Sequence, residues 1–282
     1  MTKKLGVFII HGMGDPAPDY AETLIGQLTK RLGDAAREVE FEACYWAPIL
    51  QKQQDVTWHR LLLRGQLDAL AFRRWIVSAL GDPVSYLSGF FKDGKPVYGQ
   101  IHECMRTSLE QLSARLGEGQ PRPLMILAHS LGSVIASNYI WDQHYNKNEE
   151  DVGLGKTPFE RTETLTSFIT FGSNIPLFLP PSPPIKCIPF PHQNLPASLK
   201  AEARWQNVFD PDDVLGYPLA DIWDDTQGTR IDDIPINAGM WPLSETPLSH
   251  TAYLRDDSFL DLVEERMRAL LKLTPWPEDT TS

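Results

Sequence analysis

Three clusters of residues have the types and spacing that acyl transfer needs. One is Ala128-His129-Ser130-Leu131-Gly132-Ser133, another His11-Gly12-Met13-Gly14-Asp15, and the third a late pair. That pair comprises the acidic turn Asp210-Pro211-Asp212-Asp213-Val214-Leu215-Gly216 and the stretch Ser249-His250-Thr251-Ala252-Tyr253. Ser130 follows an apolar strand pattern and precedes a helical one. On such a strand–turn–helix corner the hydroxyl is pushed out, and the helix N-terminus favours developing negative charge. Small residues must flank the corner, and Ala128, Gly132 and Ser133 do. The bland alternative is a serine capping a buried helix.

Glycines in the His11–Asp15 loop let the backbone turn sharply and aim N–H groups into a cleft. The N–H of Met13, in a loop shaped by Gly12 and Gly14, and the N–H of Leu131 would then bind an oxyanion. Neither G-x-G-x-x-G nor G-x-x-x-x-G-K-[ST] is present, so nucleotide binding is disfavoured. His11 reads as a structural hydrogen-bonder under the loop. A serine nucleophile also needs a neutral imidazole to take its proton and a buried carboxylate to hold that imidazole. His250 and one of the late aspartates are the candidates. Asp210 comes directly before Pro211 and is expected at a strand end. This chemistry requires no metal and no cofactor.

The elements that must position these groups are legible as alternating strand and helix patterns. Leu5–Ile10 and Leu124–Ala128 are continuous apolar runs, as expected of strands covered on both faces, and Leu165–Phe171 reads as another buried strand. Val39, Phe41, Ala43 and Tyr45 alternate with Glu40 and Glu42 as in a half-exposed strand. Trp205–Phe209 is a further strand, and Ile234–Ala238 a weaker one in which Pro235 requires an edge or a strand start. Helical stripes run over Leu24, Ile25, Leu28 and Leu32, ending at Gly33. Others run from Ile101 to Leu116, along Val134, Ile135, Tyr139 and Trp141, and from Phe259 to Leu271, stopped by Pro275. The expected architecture is a single α/β domain over 1–282, with a mostly parallel central sheet flanked by helices.

Two stretches stand apart. Residues 46–98 read as a helical, lid-like insertion whose apolar positions (Trp58, Leu61, Leu62, Leu67, Leu70, Phe72, Trp75, Ile76, Leu80) are mixed with Arg60, Arg64, Arg73 and Arg74. A lid over the serine would suit this pattern, as would peripheral contact with lipid or a partner. The plain alternative is an insertion packed on the core, its arginines paired with acids. Residues 175–200 are proline-dense around Pro180-Pro181-Ser182-Pro183-Pro184, which should exclude helix and leave a long loop. Asn174, just before it in Phe171-Gly172-Ser173-Asn174, reads as a turn residue, with a place lining the cleft as the alternative.

These residues together resemble the α/β-hydrolase superfamily: His11-Gly12 after the first strand, the Ala128–Gly132 elbow, late aspartates and Ser249-His250 before the last helix. Trp205-Gln206-Asn207 ahead of the aspartates, and His250 followed by Tyr253, are similar to the lipase and esterase branches that include DDHD-type phospholipases. Ala128 stands where the superfamily elbow has glycine. The resemblance implies a triad in the chain order Ser130, Asp, His250. It also implies an acid followed by one variable, one aliphatic and one small residue. Asp213 fits that pattern through Gly216, whereas Asp212 fits only if Leu215 counts as small. The implied activity is hydrolysis of small-molecule or lipid-like acyl esters through an acyl-enzyme. A thioesterase or amidase using the same triad, or a non-catalytic binding protein of the same fold, are the alternatives.

Composition narrows the classes further. The 282 residues carry 26 basic and 37 acidic side chains, a net charge of -11, which opposes non-specific nucleic-acid binding. Cys44, Cys104 and Cys187 form no C-x-x-C pair, so a disulfide framework or cysteine zinc site is not expected. Lys3-Lys4 and the run to Ile10 are too short for a signal peptide or transmembrane segment. A cytoplasmic location is the expectation.

Overall fold

Leu5–Ile10 alternates its side chains between two cores, and this one strand explains the layering of the molecule. Phe8 and Ile10 join a cluster on one side, while Leu5, Val7 and Ile9 join a cluster on the other. The computed structural model describes residues 3–64, 70–87, 91–92, 95–117, 122–145, 153–179, 183–238 and 249–273. In chain order the elements are β1 (Leu5–Ile10), α1 (Glu22–Leu32), β2 (Val39–Cys44), α2 (Pro48–Arg64), α3 (Leu70–Leu87) and the two-residue strands β3 (Phe91–Lys92) and β4 (Lys95–Pro96). Then follow α4 (Val97–Leu116), β5 (Leu124–His129), α5 (Leu131–Tyr145), β6 (Leu165–Phe171), α6 (Ala197–Glu202), β7 (Arg204–Phe209), β8 (Ile231–Pro235) and α7 (Asp257–Lys272).

The main sheet has six strands in the order β2-β1-β5-β6-β7-β8, and every neighbouring pair is parallel. This is the α/β architecture expected from the alternating patterns. Apolar stripes of α4 and α5 cover one face through Ile101, Met105, Leu109, Val134 and Ile135. The opposite face is covered by α1 and α7 through Leu24, Leu28, Phe259 and Val263. Central strands β1 and β6 are buried at every residue, whereas edge strands β2 and β8 are only half-buried. Burial on both faces is what fills these strands with Ile, Leu, Val and Phe.

Three expectations need correction. The last strand runs over Ile231–Pro235 rather than Ile234–Ala238; it is an edge strand, and Pro235 is its final residue. Within the proline-dense stretch a 3₁₀ turn forms at Ile175–Phe178, with Pro176 in its first turn, where a missing N–H costs no bond. The stretch also ends in helix, because α6 begins at Ala197. Between β2 and α4, helices α2 and α3 occupy most of the 46–98 segment; Leu67 and the side chains of Arg64, Phe72, Trp75, Ile76 and Leu80 lie outside the described residues, as does Pro275. Trp58 is buried, but Leu61, Leu62 and Leu70 are exposed. Arg74 pairs with Asp15 at 2.9 Å and Asp55 at 2.7 Å. Among the described residues no helix is long and apolar enough to cross a membrane.

Candidate active site

Ser130 is the single residue between β5 and α5, and its backbone φ of 51° lies in the left-handed region that non-glycine residues seldom adopt. The corner is held from three sides. The Ser130 N–H donates to Phe171 O on β6 at 3.1 Å, and Ser133 N–H closes a turn onto Ser130 O at 2.9 Å. Close backbone approach supplies the third. A Cβ on Gly12 would stand 2.6 Å from Ser130 Cβ, and one on Gly132 would stand 2.6 Å from His11 O. Any side chain at either position would force β1 and β5 apart at the corner.

The hydroxyl of Ser130 points to His250, which lies in the 3₁₀ segment Ser249–Arg255 leading into α7. Ser130 Oγ is 2.6 Å from His250 Nε2, and His250 Nδ1 is 2.8 Å from Asp213 Oδ2. With Nε2 accepting from the serine, the imidazole proton sits on Nδ1 and is donated to the carboxylate. Asp213 Oδ2 also accepts from Tyr253 OH at 2.8 Å, and Oδ1 accepts from Leu215 N–H at 3.0 Å. Burial opposes its charge, but the bonds from His250, Leu215 and Tyr253 outweigh that and hold its pKa below the ordinary carboxylate value. All three members are almost fully buried: Ser130 at 0%, Asp213 at 3% and His250 at 4% exposure. Their mutual attraction is therefore little screened by water.

The other aspartates do not reach the imidazole. Asp212 is exposed, and Asp210 is buried but committed elsewhere, accepting from Asp212 N–H and from Ala238 N–H. Leu131 opens α5, so its N–H has no carbonyl one turn earlier to bond and remains directed at the corner beside Ser130. Met13 follows Gly12, which touches the serine. Gly14 does not join them, because its N–H donates to the Asp82 carboxylate of α3 at 2.7 Å. His11 is structural as expected: it bonds Gly12 O, accepts from Trp46 N–H and stacks on the Trp46 ring at 4.6 Å. Burial lowers its pKa to about 4, which keeps it neutral.

Two contributors escape the sequence. Asn174 is more than a turn residue: fully buried, it sets Nδ2 3.4 Å from Ser130 Oγ and leaves Oδ1 without a partner. His129 donates Nε2–H to the His250 carbonyl at 2.7 Å while its ring stacks on Phe171. Burial, reinforced by the neighbouring His250, lowers the His129 pKa to about 3, so it remains a neutral strut. The only sequence signal for either was adjacency to a motif. Among the described residues no group of three or more His, Cys, Asp or Glu side chains is arranged to hold a metal ion.

No protein-family model matches the chain, and no curated protein is detectably similar to it. Among solved structures, an acetylxylan esterase superposes over 96% of this chain and 100% of its own length, at 9% sequence identity and a TM-score of 0.41. That likeness is too distant to carry an argument about chemistry.

Proposed function

We propose that this chain is a serine hydrolase of carboxylic esters. The observation that carries the reading is the buried, hydrogen-bonded run from Ser130 through His250 to Asp213, at 2.6 and 2.8 Å, on a left-handed corner at a helix N-terminus. Ser130 Oγ attacks the acyl carbon while His250 Nε2 takes its proton. Asp213 holds the tautomer and stabilises the imidazolium. The N–H groups of Met13 and Leu131 receive the oxyanion, while the Asn174 amide stands 3.4 Å from the attacking Ser130 Oγ, close enough to the reacting atoms to act as a further donor. His250 then protonates the departing alkoxide. Water, deprotonated by the same imidazole, releases the acid from the acyl-enzyme.

A cavity of about 340 Å³ supports an apolar acyl group. Its wall includes Val134, one turn along α5 from Ser130, and Ile175, next to Asn174, with Trp141, Phe178, Ile188 and Trp223 also apolar and Ser137, Asn138 and Lys186 as polar members. Each methylene buried there is worth ~0.8 kcal/mol, about fourfold in kcat/KM. The test is a series of straight-chain p-nitrophenyl esters, with matched thioesters and anilides, on wild type and Ser130→Ala. The expected result is turnover that rises with chain length until the cavity is full, favours esters, and vanishes in the variant. Ester turnover persisting in Ser130→Ala would overturn the reading.

A further inference from the structure

Cys44 is the last residue of edge strand β2, and Cys104 lies on α4, which packs over that edge. Sixty residues apart in sequence, their sulfurs stand 3.9 Å from each other. Cys44 is fully buried and Cys104 half-buried, so Cys104 is the member of the pair nearer solvent and Cys44 backs it from inside. We propose that Cys44 and Cys104 are a dithiol modification site, closed to an intramolecular disulfide by a peroxide. The Cys104 thiolate attacks hydrogen peroxide and expels hydroxide, which takes up a proton as water, leaving a sulfenic acid. Cys44, losing its proton, attacks that sulfur, and a second water leaves as the S–S bond forms. In total two thiols and one peroxide give one disulfide and two waters. Cys104 is the better first nucleophile, since its hydrogen bond with Cys44 lowers its pKa and raises that of Cys44. Bond formation needs about 2 Å of closure, which an edge strand with only one neighbour can provide.

The consequence for the site rests on the proposed hydrolase reading. The half-buried thiol of Cys104 also donates to Tyr45 O at 3.6 Å, and Tyr20 OH donates to Cys44 O at 3.1 Å. Trp46, two residues after Cys44, clamps both Nε2 and the carbonyl of His11, directly before Gly12 and Met13. Drawing Cys44 toward α4 pulls on this clamp and displaces the oxyanion loop. A misplacement of that kind costs on the order of tenfold or more in rate.

The experiment treats the reduced full chain with one equivalent of hydrogen peroxide, then alkylates, digests and maps the peptides. The expected product links the Cys44 and Cys104 peptides, has lost two hydrogens, reverts with dithiothreitol, and leaves the buried Cys187 unlinked. Recovering Cys44 alkylated, with Cys104 either alkylated or carried on to sulfinic acid, would overturn the site. In Cys44→Ser the link must vanish, and Cys104 must proceed to oxyacids. Fluorophosphonate labelling of the oxidised protein tests the coupling separately. A disulfide that leaves the labelling rate at Ser130 unchanged refutes the pull on the loop. Absence of labelling in the reduced protein refutes the hydrolase reading alone.

Discussion

The molecule contains two buried runs of carboxylate, imidazole and hydroxyl, and they differ in where the fold places them. Asp213, His250 and Ser130 form the first. In the second, Tyr86 OH donates to His102 Nε2 at 2.8 Å, and His102 Nδ1 stands 3.2 Å from Asp142 Oδ2 without hydrogen-bond alignment. Residue types and distances are nearly matched; placement is not. Ser130, Asp213 and His250 come from loops at one edge of the sheet, where strands end and α5 begins. Tyr86, His102 and Asp142 belong to the helices α3, α4 and α5, with Tyr98 stacked on the Tyr86 ring at 4.8 Å. Burial raises the pKa of Tyr86 well above the ordinary phenol value and lowers that of His102. The Tyr86 phenol, which accepts from Asn138 Nδ2, lies within a helix and not on a strand–helix corner. The second run fastens α3 to the body; the first is the one to which the proposed hydrolase reading assigns the reaction.

Substitutions separate the two runs most sharply at their carboxylates. Asp213→Asn should lower kcat by ~10⁴-fold, because the wrong imidazole tautomer then faces the serine, while Asp142→Asn should leave kcat within about threefold. Equal losses would erase the distinction, and steady-state kinetics near neutral pH decide. Next in size, Asn174→Ala should cost ~10²-fold in kcat with little change in KM, as expected of a donor to the transition state. An effect confined to KM would make Asn174 a substrate-binding residue instead. Tyr86→Phe should spare kcat but leave His102 Nε2 and Asn138 Nδ2 without their partner, costing about 1–3 kcal/mol, read as a lower Tm.

The smallest effect is on pH. Buried His11 and half-buried His129 and His144 have pKa values lowered to about 4, 3 and 4, against 6.5 when unfolded. The unfolded chain therefore binds more protons than the folded one below pH 6.5. Stability from these groups is intact above that value and declines as pH falls through 6.5 toward 4. Asp213, with a depressed pKa, adds a further loss below about 3.8. A Tm that stays flat from pH 7 to pH 4 would contradict these assignments.

Strands covered on both faces were legible because burial forces continuous apolar runs, as in Leu5–Ile10 and Leu124–Ala128. β8 was misplaced because Asp232 and Asp233 look unlike strand residues. In the fold Asp233 accepts from Leu219 N–H, Ala220 N–H and Asn207 Nδ2, and local patterns carry no trace of those partners. The same holds at the site. Ser130 and His250 stand in recognisable local settings, and the α/β-hydrolase resemblance ranks Asp213 above Asp212 through the small residue Gly216. Asn174 and His129 take their positions from contacts across β5, β6 and the 3₁₀ segment. The closeness of Cys44 and Cys104 is likewise a product of packing, invisible to cysteine spacing.

The central claim is that Ser130, and not the equally hydrogen-bonded Tyr86, is the reactive hydroxyl. A fluorophosphonate probe followed by peptide mapping measures this directly. The account predicts one adduct, on Ser130, lost in Ser130→Ala and slowed strongly in Asp213→Asn, with Tyr86 unmodified. An adduct on any other residue, or a native protein that remains unlabelled, would contradict it.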